Sequence, residues 1–169
     1  MTAPIWQRLD VAARNLAPFS ATVLLLILGL VPLRLPYVPP FGTSLVLVSV
    51  YYWAIHRPAI LPAPAVFAIG LLADLFGGGM LGAGAFMLLA AYGVTVSLRR
   101  WIVGASFVIV WLGYAVLALV SVMLTWFLTQ ILAGTAVSLA PGLSGALFGI
   151  GAYPAVAALF ARAQRGLLR

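Results

Sequence analysis

The chain has 169 residues, of which 65% are hydrophobic and only 7% are charged, and its mean hydropathy is +1.21. A soluble domain averages about 45–50% apolar and about 25% charged residues, so this composition excludes an ordinary soluble fold and predicts an integral membrane protein. The net charge of +7 comes from arginines dispersed between apolar runs, so we expect no nucleic-acid partner, and the lack of cysteine with a single histidine excludes a zinc site.

Six apolar runs predict six membrane spans, approximately at residues 17–33, 37–55, 60–76, 80–98, 101–132 and 139–161. The fifth run would extend about 48 Å as one helix, which exceeds a hydrocarbon core of about 30 Å. We therefore expect this helix to be tilted, kinked or projecting from the membrane. A five-span arrangement with residues 37–76 partly re-entrant is the alternative, because the second and third runs are short.

The arginines predict how these spans are oriented. With six crossings and a cytoplasmic N-terminus, eight of the nine arginines lie on the cytoplasmic side, and only Arg34 lies on the other side. Short cytoplasmic loops of membrane proteins are enriched in lysine and arginine. We therefore expect a multi-pass protein with both termini in the cytoplasm.

Asp74 is the only acidic residue inside an apolar run. A carboxylate at membrane depth is costly and is a functional-site hypothesis by default. We do not expect it to be a helix cap, because it lies near the C-terminal end of the third span, where the helix dipole disfavours negative charge. The predicted topology places Arg34 on the same side of the membrane, so we predict that Asp74 and Arg34 pair or share a polar cluster. A solvated acid at the membrane interface is the alternative.

A glycine-rich segment follows Asp74 and includes Gly77, Gly78, Gly79 and Gly82. It lacks both the GK[ST] ending and the preceding strand of a phosphate-binding loop, so we interpret it as a tight hairpin between two short spans. Gly78 and Gly82 are four positions apart, a spacing that lets helix backbones approach closely. That contact would be made within the bundle or with a partner helix.

Aromatic and basic residues mark the end of the second span. Tyr51, Tyr52 and Trp53 precede His56, Arg57 and Pro58, and we interpret the three aromatic residues as part of an aromatic belt at the membrane interface. His56 is interpreted as interfacial rather than catalytic. Several polar residues of the last two spans either line a small-solute cavity or make helix-to-helix hydrogen bonds, namely Ser106, Tyr114, Ser121, Thr125, Thr129, Gln130 and Ser144.

Three segments of the chain resemble the rod shape-determining protein MreD family. They are YYWAIHRP at 51–58, GLLADLFGG at 70–78 and the following Leu81-Gly82. That family typically places a YW-containing segment and a proline before a G-x-x-x-D-L-x-S-G-x-x-L-G stretch. The resemblance covers the middle of the chain in motifs and the whole chain in length and hydropathy, and the closing Tyr153-Pro154 with its basic tail is similar to alphaproteobacterial members. The principal departure is Gly77, where the family often has serine or threonine.

The resemblance implies an all-α integral membrane fold, with six transmembrane helices in a compact bundle like the substrate-binding component of energy-coupling-factor transporters. It implies a non-catalytic scaffold or regulator in the bacterial inner membrane that supports cell shape and lateral peptidoglycan synthesis and needs no cofactor. The implied direct partner is the bitopic protein MreC, and MreB, RodA and a class B penicillin-binding protein are implied as indirect partners, with membrane lipids around the bundle. A small-solute-binding component of a transporter is the alternative. The candidate interaction or structural residues are Asp74, Arg34, Gly77, Gly78, Gly79, Gly82, Trp53, Arg57 and Pro58.

Overall fold

The computed structural model describes residues 19–29, 42–77, 81–133 and 138–167. Over these ranges the chain forms six helices, which confirms the expected all-helical fold for the described residues. They are α1 (Phe19–Gly29), α2 (Gly42–His56), α3 (Ala63–Gly77), α4 (Ala83–Ile102), α5 (Phe107–Ala133) and α6 (Ala140–Leu167). Two segments, Phe107–Ile131 of α5 and Ala140–Arg162 of α6, are long and apolar enough to cross a membrane.

Helix α2 is the centre of the bundle and contacts α3, α4, α5 and α6. Ten of its 15 residues are buried, which explains why this helix is apolar on all sides rather than amphipathic. Helix α1 also packs on it, where the buried hydroxyls of Thr22 and Ser49 lie 2.7 Å apart. Residues 42–76 therefore contain two separate helices, α2 and all of α3 except its last residue, joined by a turn at 57–62.

The predicted fifth run, residues 101–132, is divided between two helices. Helix α4 continues through Trp101 to Ile102, and a turn that contains Gly104 separates it from α5. Gly104 has a φ of 93°, a left-handed conformation that commonly ends a helix. Ser106 then begins α5 by accepting its first backbone hydrogen bonds. The single long helix predicted for this run is therefore wrong, although α5 alone still has 27 residues.

The aromatic residues at the end of α2 lie in the core, so their interpretation as an interfacial belt is wrong. Tyr51, Tyr52 and Trp53 are only 3%, 3% and 6% exposed. Helix α6 covers this end of α2, since the ring of Phe160 lies 5.2 Å from that of Tyr52 and 5.3 Å from that of Trp53. The central position of α2 surrounds even its last turn with other helices.

A proline inside α6 is accommodated by a tryptophan of α5. Pro154 has no backbone N–H, so the carbonyl of Ile150, one turn earlier, lacks its usual helical donor. The indole Nε1 of Trp111 donates a hydrogen bond to that carbonyl at 2.9 Å. This bond satisfies a backbone acceptor in an apolar environment and fastens α5 to α6.

Candidate functional site

The candidate site is built on the hairpin of α3 and α4, whose helices touch through their backbones. A Cβ added to the buried Gly70 of α3 would overlap the Cα of Ala85 in α4. Small residues permit such close approach between helices. The contact places the C-terminal end of α3 directly beside the N-terminal end of α4.

Asp74 caps the first turn of α4 from the neighbouring helix. Its Oδ2 accepts hydrogen bonds from the backbone N–H of Gly82 at 2.9 Å and of Ala85 at 3.1 Å. The first N–H groups of a helix lack partners within the helix and carry partial positive charge, so a carboxylate is well suited to this position. The expectation that Asp74 is not a helix cap is therefore wrong. The dipole of its own helix disfavours the carboxylate, but the cap belongs to α4.

Two glycines allow the carboxylate to reach this position. Gly82, the N-cap residue of α4, has a φ of 94° and provides no side-chain cap of its own. Gly84 leaves room for Asp74, because a Cβ on Gly84 would overlap Oδ1 of the carboxylate. The sequence identified Gly82 as a candidate but missed Gly84, although the segment's high glycine content was a signal that backbone would approach another group closely.

The other residues predicted near Asp74 have different outcomes. Gly77 is the last residue of α3, and outside its own helix no described residue has an atom within 4 Å of the position that its Cβ would take. Gly78, Gly79 and Arg34 lie outside the described residues, and so the Asp74–Arg34 pair stays a prediction.

Trp53, Arg57 and Pro58 belong to a second group at the other end of the bundle. Trp53 is buried, and among the described residues its indole N–H has no hydrogen-bond partner. Arg57 is exposed, while the half-buried Pro58 accepts a hydrogen bond from the Tyr92 hydroxyl at 3.3 Å. Helix α4 spans the distance between the two groups, since its 20 residues extend about 30 Å. The candidates among the described residues therefore lie in two groups at opposite ends of α4.

Two of the polar residues of the last two spans make hydrogen bonds within their own helices. The hydroxyl of Thr129 donates to the carbonyl of Thr125 at 2.7 Å, within α5, and that of Ser144 donates to Ala140 at 3.0 Å, within α6. The fully buried Tyr114 stacks on Tyr153 with ring centroids 5.0 Å apart. The Tyr114 hydroxyl also donates a hydrogen bond to the carbonyl of Ser44 in α2 at 3.5 Å, so for Tyr114 the helix-to-helix interpretation is supported.

The segments that carry the family resemblance all lie at helix ends. YYWAIHRP closes α2, GLLADLFGG contains the Asp74 end of α3, and Leu81-Gly82 precedes α4. The eight-residue spacing of Asp74 and Gly82 has a structural explanation, because a hydrogen bond between these two residues joins the end of α3 to the start of α4. No family model matches the chain, and no curated protein or solved structure matches it.

Proposed function

We propose that the chain is a non-catalytic membrane scaffold or regulator of the bacterial cell-elongation complex, with an MreC-like single-span protein as its direct partner. The observation that supports this best is the capped hairpin. Asp74 and Gly82, both within the motif that resembles the MreD family, are joined by a hydrogen bond across the turn. The motif therefore describes two helix ends that are held together by hydrogen bonds, and such preorganisation lowers the cost of docking another protein.

The proposal includes a six-span bundle in the inner membrane, with a fold similar to the substrate-binding component of energy-coupling-factor transporters. Arg57, Arg99 and Arg100 lie toward one end of α4, and Asp74 binds the other end. This polarity agrees with cytoplasmic arginines and a periplasmic hairpin. Eleven large apolar side chains of α5 are exposed between Phe107 and Ile131, and lipid would cover such a surface. Both termini are then cytoplasmic.

The tip of the hairpin is the surface proposed for the partner. Leu75, Phe76, Leu81 and Phe86 are 58–70% exposed around the half-buried Asp74. Because the carboxylate holds the start of α4 in place, these apolar side chains are presented from fixed backbone. A partner segment that packs here would bury them without first having to order the hairpin.

Co-purification with an MreC-like partner tests this proposal. We expect a stable complex with the wild-type chain and loss of that complex when Leu75 and Leu81 are both changed to alanine. The matched control changes Leu112 and Leu159 to alanine, since these two leucines are similarly exposed on α5 and α6. Retention of the complex by the hairpin variant, or its loss in the control alone, contradicts the proposed surface.

Two further outcomes separate the proposal from its alternatives. A tightly retained small molecule, with no partner bound, would favour the solute-binding component of a transporter.

The topology is tested by fusing a reporter that is active only in the periplasm to Arg169. We expect no activity from this fusion, and robust activity would overturn the six-span arrangement.

A further inference from the structure

Three helix ends that carry arginine converge at the end of the bundle opposite Asp74. The Nε of Arg99 donates a hydrogen bond to the carbonyl of Ile55 at 2.6 Å, which joins the last turn of α4 to the last turn of α2. Phe160 of α6 packs against Trp53 of α2. Arg162 follows two residues later and is exposed, so α6 brings a further guanidinium group to this end.

These guanidinium groups have no carboxylate to neutralise them within the described part of the chain. Arg57, Arg100 and Arg162 are exposed, and Asp74 is the only acidic side chain among the described residues. Asp74 is occupied at the start of α4, where it binds the N–H of Ala85. Arg99 lies 14 positions after Ala85, which corresponds to about 21 Å along the helix and is too far for direct pairing. Anions outside the described residues must balance this charge.

An exposed tryptophan lies at this end of the bundle, as is typical of a helix end at the level of lipid headgroups. Trp101 is 73% exposed, and the guanidinium of Arg100 lies 5.5 Å from the centre of its ring. Tryptophan is enriched where a membrane meets water. Arginine presents a planar fork of donors that matches the oxygens of a phosphate group. Together they form a cationic surface beside an aromatic anchor.

We propose that this arginine end binds the phosphate of an anionic phospholipid headgroup. Arg57, Arg100 and Arg162 provide the guanidinium groups, while Arg99 is a positioning residue that holds α4 against α2 through the Ile55 carbonyl. The inference rests on the membrane placement given under Proposed function, but not on the partner protein, which that proposal places at the opposite end. Binding to anionic lipid would fix the depth and orientation of the bundle.

The test uses the full chain purified in an uncharged detergent. Phosphatidylglycerol is added at increasing concentration, and the thermal unfolding midpoint is compared with that in matched phosphatidylcholine. We expect the midpoint to rise with phosphatidylglycerol only, and the R57Q/R100Q variant to lose most of that rise. R162Q, a single change at an exposed position, is expected to lose part of it. The R57K/R100K variant keeps the charge and is expected to keep most of the rise.

R34Q is the control for unspecific charge, because Arg34 is predicted on the other side of the membrane. It is expected to retain the full rise with phosphatidylglycerol. An equal rise with phosphatidylcholine, an equal rise with inorganic phosphate, or an unchanged rise in both glutamine variants overturns the lipid site.

Incorporation into lipid nanodiscs tests the membrane premise separately. A chain that enters nanodiscs without lipid preference contradicts only the lipid site, and a chain that does not enter them contradicts the membrane placement as well.

Discussion

The carboxylate of Asp74 occupies the space that a side chain on Gly84 would fill. A Cβ on Gly84 would overlap Oδ1, while Oδ2 accepts the N–H groups of Gly82 and Ala85. Hydrogen bonds thus hold Oδ2, and Oδ1 fits only because Gly84 has no side chain. The hairpin depends on residues from both of its helices, and each contribution is separable by mutation.

Removing the carboxylate should destabilise the hairpin. Loss of a helix cap costs about 0.5–2 kcal/mol, and we expect Asp74→Ala to lower the free energy of unfolding by an amount in this range. Asp74→Asn keeps an acceptor oxygen but loses the charge, so its effect should be smaller, because hydrogen bonds to ionised groups are roughly twice as strong as neutral ones. Unfolding in detergent micelles measures both. Ser97→Ala is the control, since the exposed Ser97 hydroxyl bonds only within α4, and equal effects of all three variants would contradict the cap.

Gly84→Ala should destabilise the protein although alanine favours helices. The added methyl group meets Asp74 Oδ1, and overpacking of this kind costs about 1–3 kcal/mol. Gly93→Ala on the same helix is the matched control, because no atom lies within 4 Å of its Cβ position, and we expect it to stabilise by about 0.5–1 kcal/mol. In an Asp74→Ala background the cost of Gly84→Ala should fall, since the atom that it meets is gone. If Gly84→Ala and Gly93→Ala change the free energy of unfolding by the same amount, Gly84 is not needed to make room for the Asp74 carboxylate.

Substitution of Gly82 should destabilise the protein more than substitution of Gly77, because the two glycines differ in backbone conformation. Gly82 has a φ of 94°, a region that costs an ordinary residue about 1–2 kcal/mol, so Gly82→Ala should lower stability by about this amount. Gly77 ends α3, and no described residue outside that helix lies within 4 Å of its Cβ position, so we expect Gly77→Ala and Gly77→Ser to be tolerated. Thermal unfolding in the same detergent compares them. Equal destabilisation by Gly82→Ala and Gly77→Ala would show that the φ of Gly82 is not what limits substitution.

The sequence singled out Asp74 and predicted a hairpin between α3 and α4, because a lone carboxylate and a run of glycines are local signals. It did not predict the cap, because that prediction considered the dipole of the helix containing Asp74, whereas the bond crosses to α4. The cap requires the relative placement of two helices, which the close contact of Gly70 and Ala85 determines. No pattern along either helix encodes that placement by itself.

The misplaced aromatic belt has a similar origin. A cluster such as Tyr51 to Trp53 beside a basic residue has the composition of a membrane interface, and its burial follows only from the central position of α2. The division between α4 and α5, in contrast, was encoded locally. Gly104 followed by Ser106 is a helix stop followed by a helix start, but the apolar residues on both sides concealed it in a hydropathy profile.

The hydrogen bond from Trp111 to the Ile150 carbonyl should stabilise the protein only because Pro154 removes the helical donor of that carbonyl. Trp111→Phe leaves the Ile150 carbonyl without its donor, and an unsatisfied buried acceptor costs about 1–3 kcal/mol. Pro154→Ala restores a backbone N–H one turn after Ile150, so in this background Trp111→Phe should cost about 1 kcal/mol less. A double-mutant cycle of unfolding free energies in detergent measures that difference. Trp101→Phe is the control. Because Trp101 is exposed, this substitution should change the free energy of unfolding equally with and without Pro154→Ala. Additivity of Trp111→Phe and Pro154→Ala to within about 0.5 kcal/mol would mean that the tryptophan does not replace the donor that proline removes.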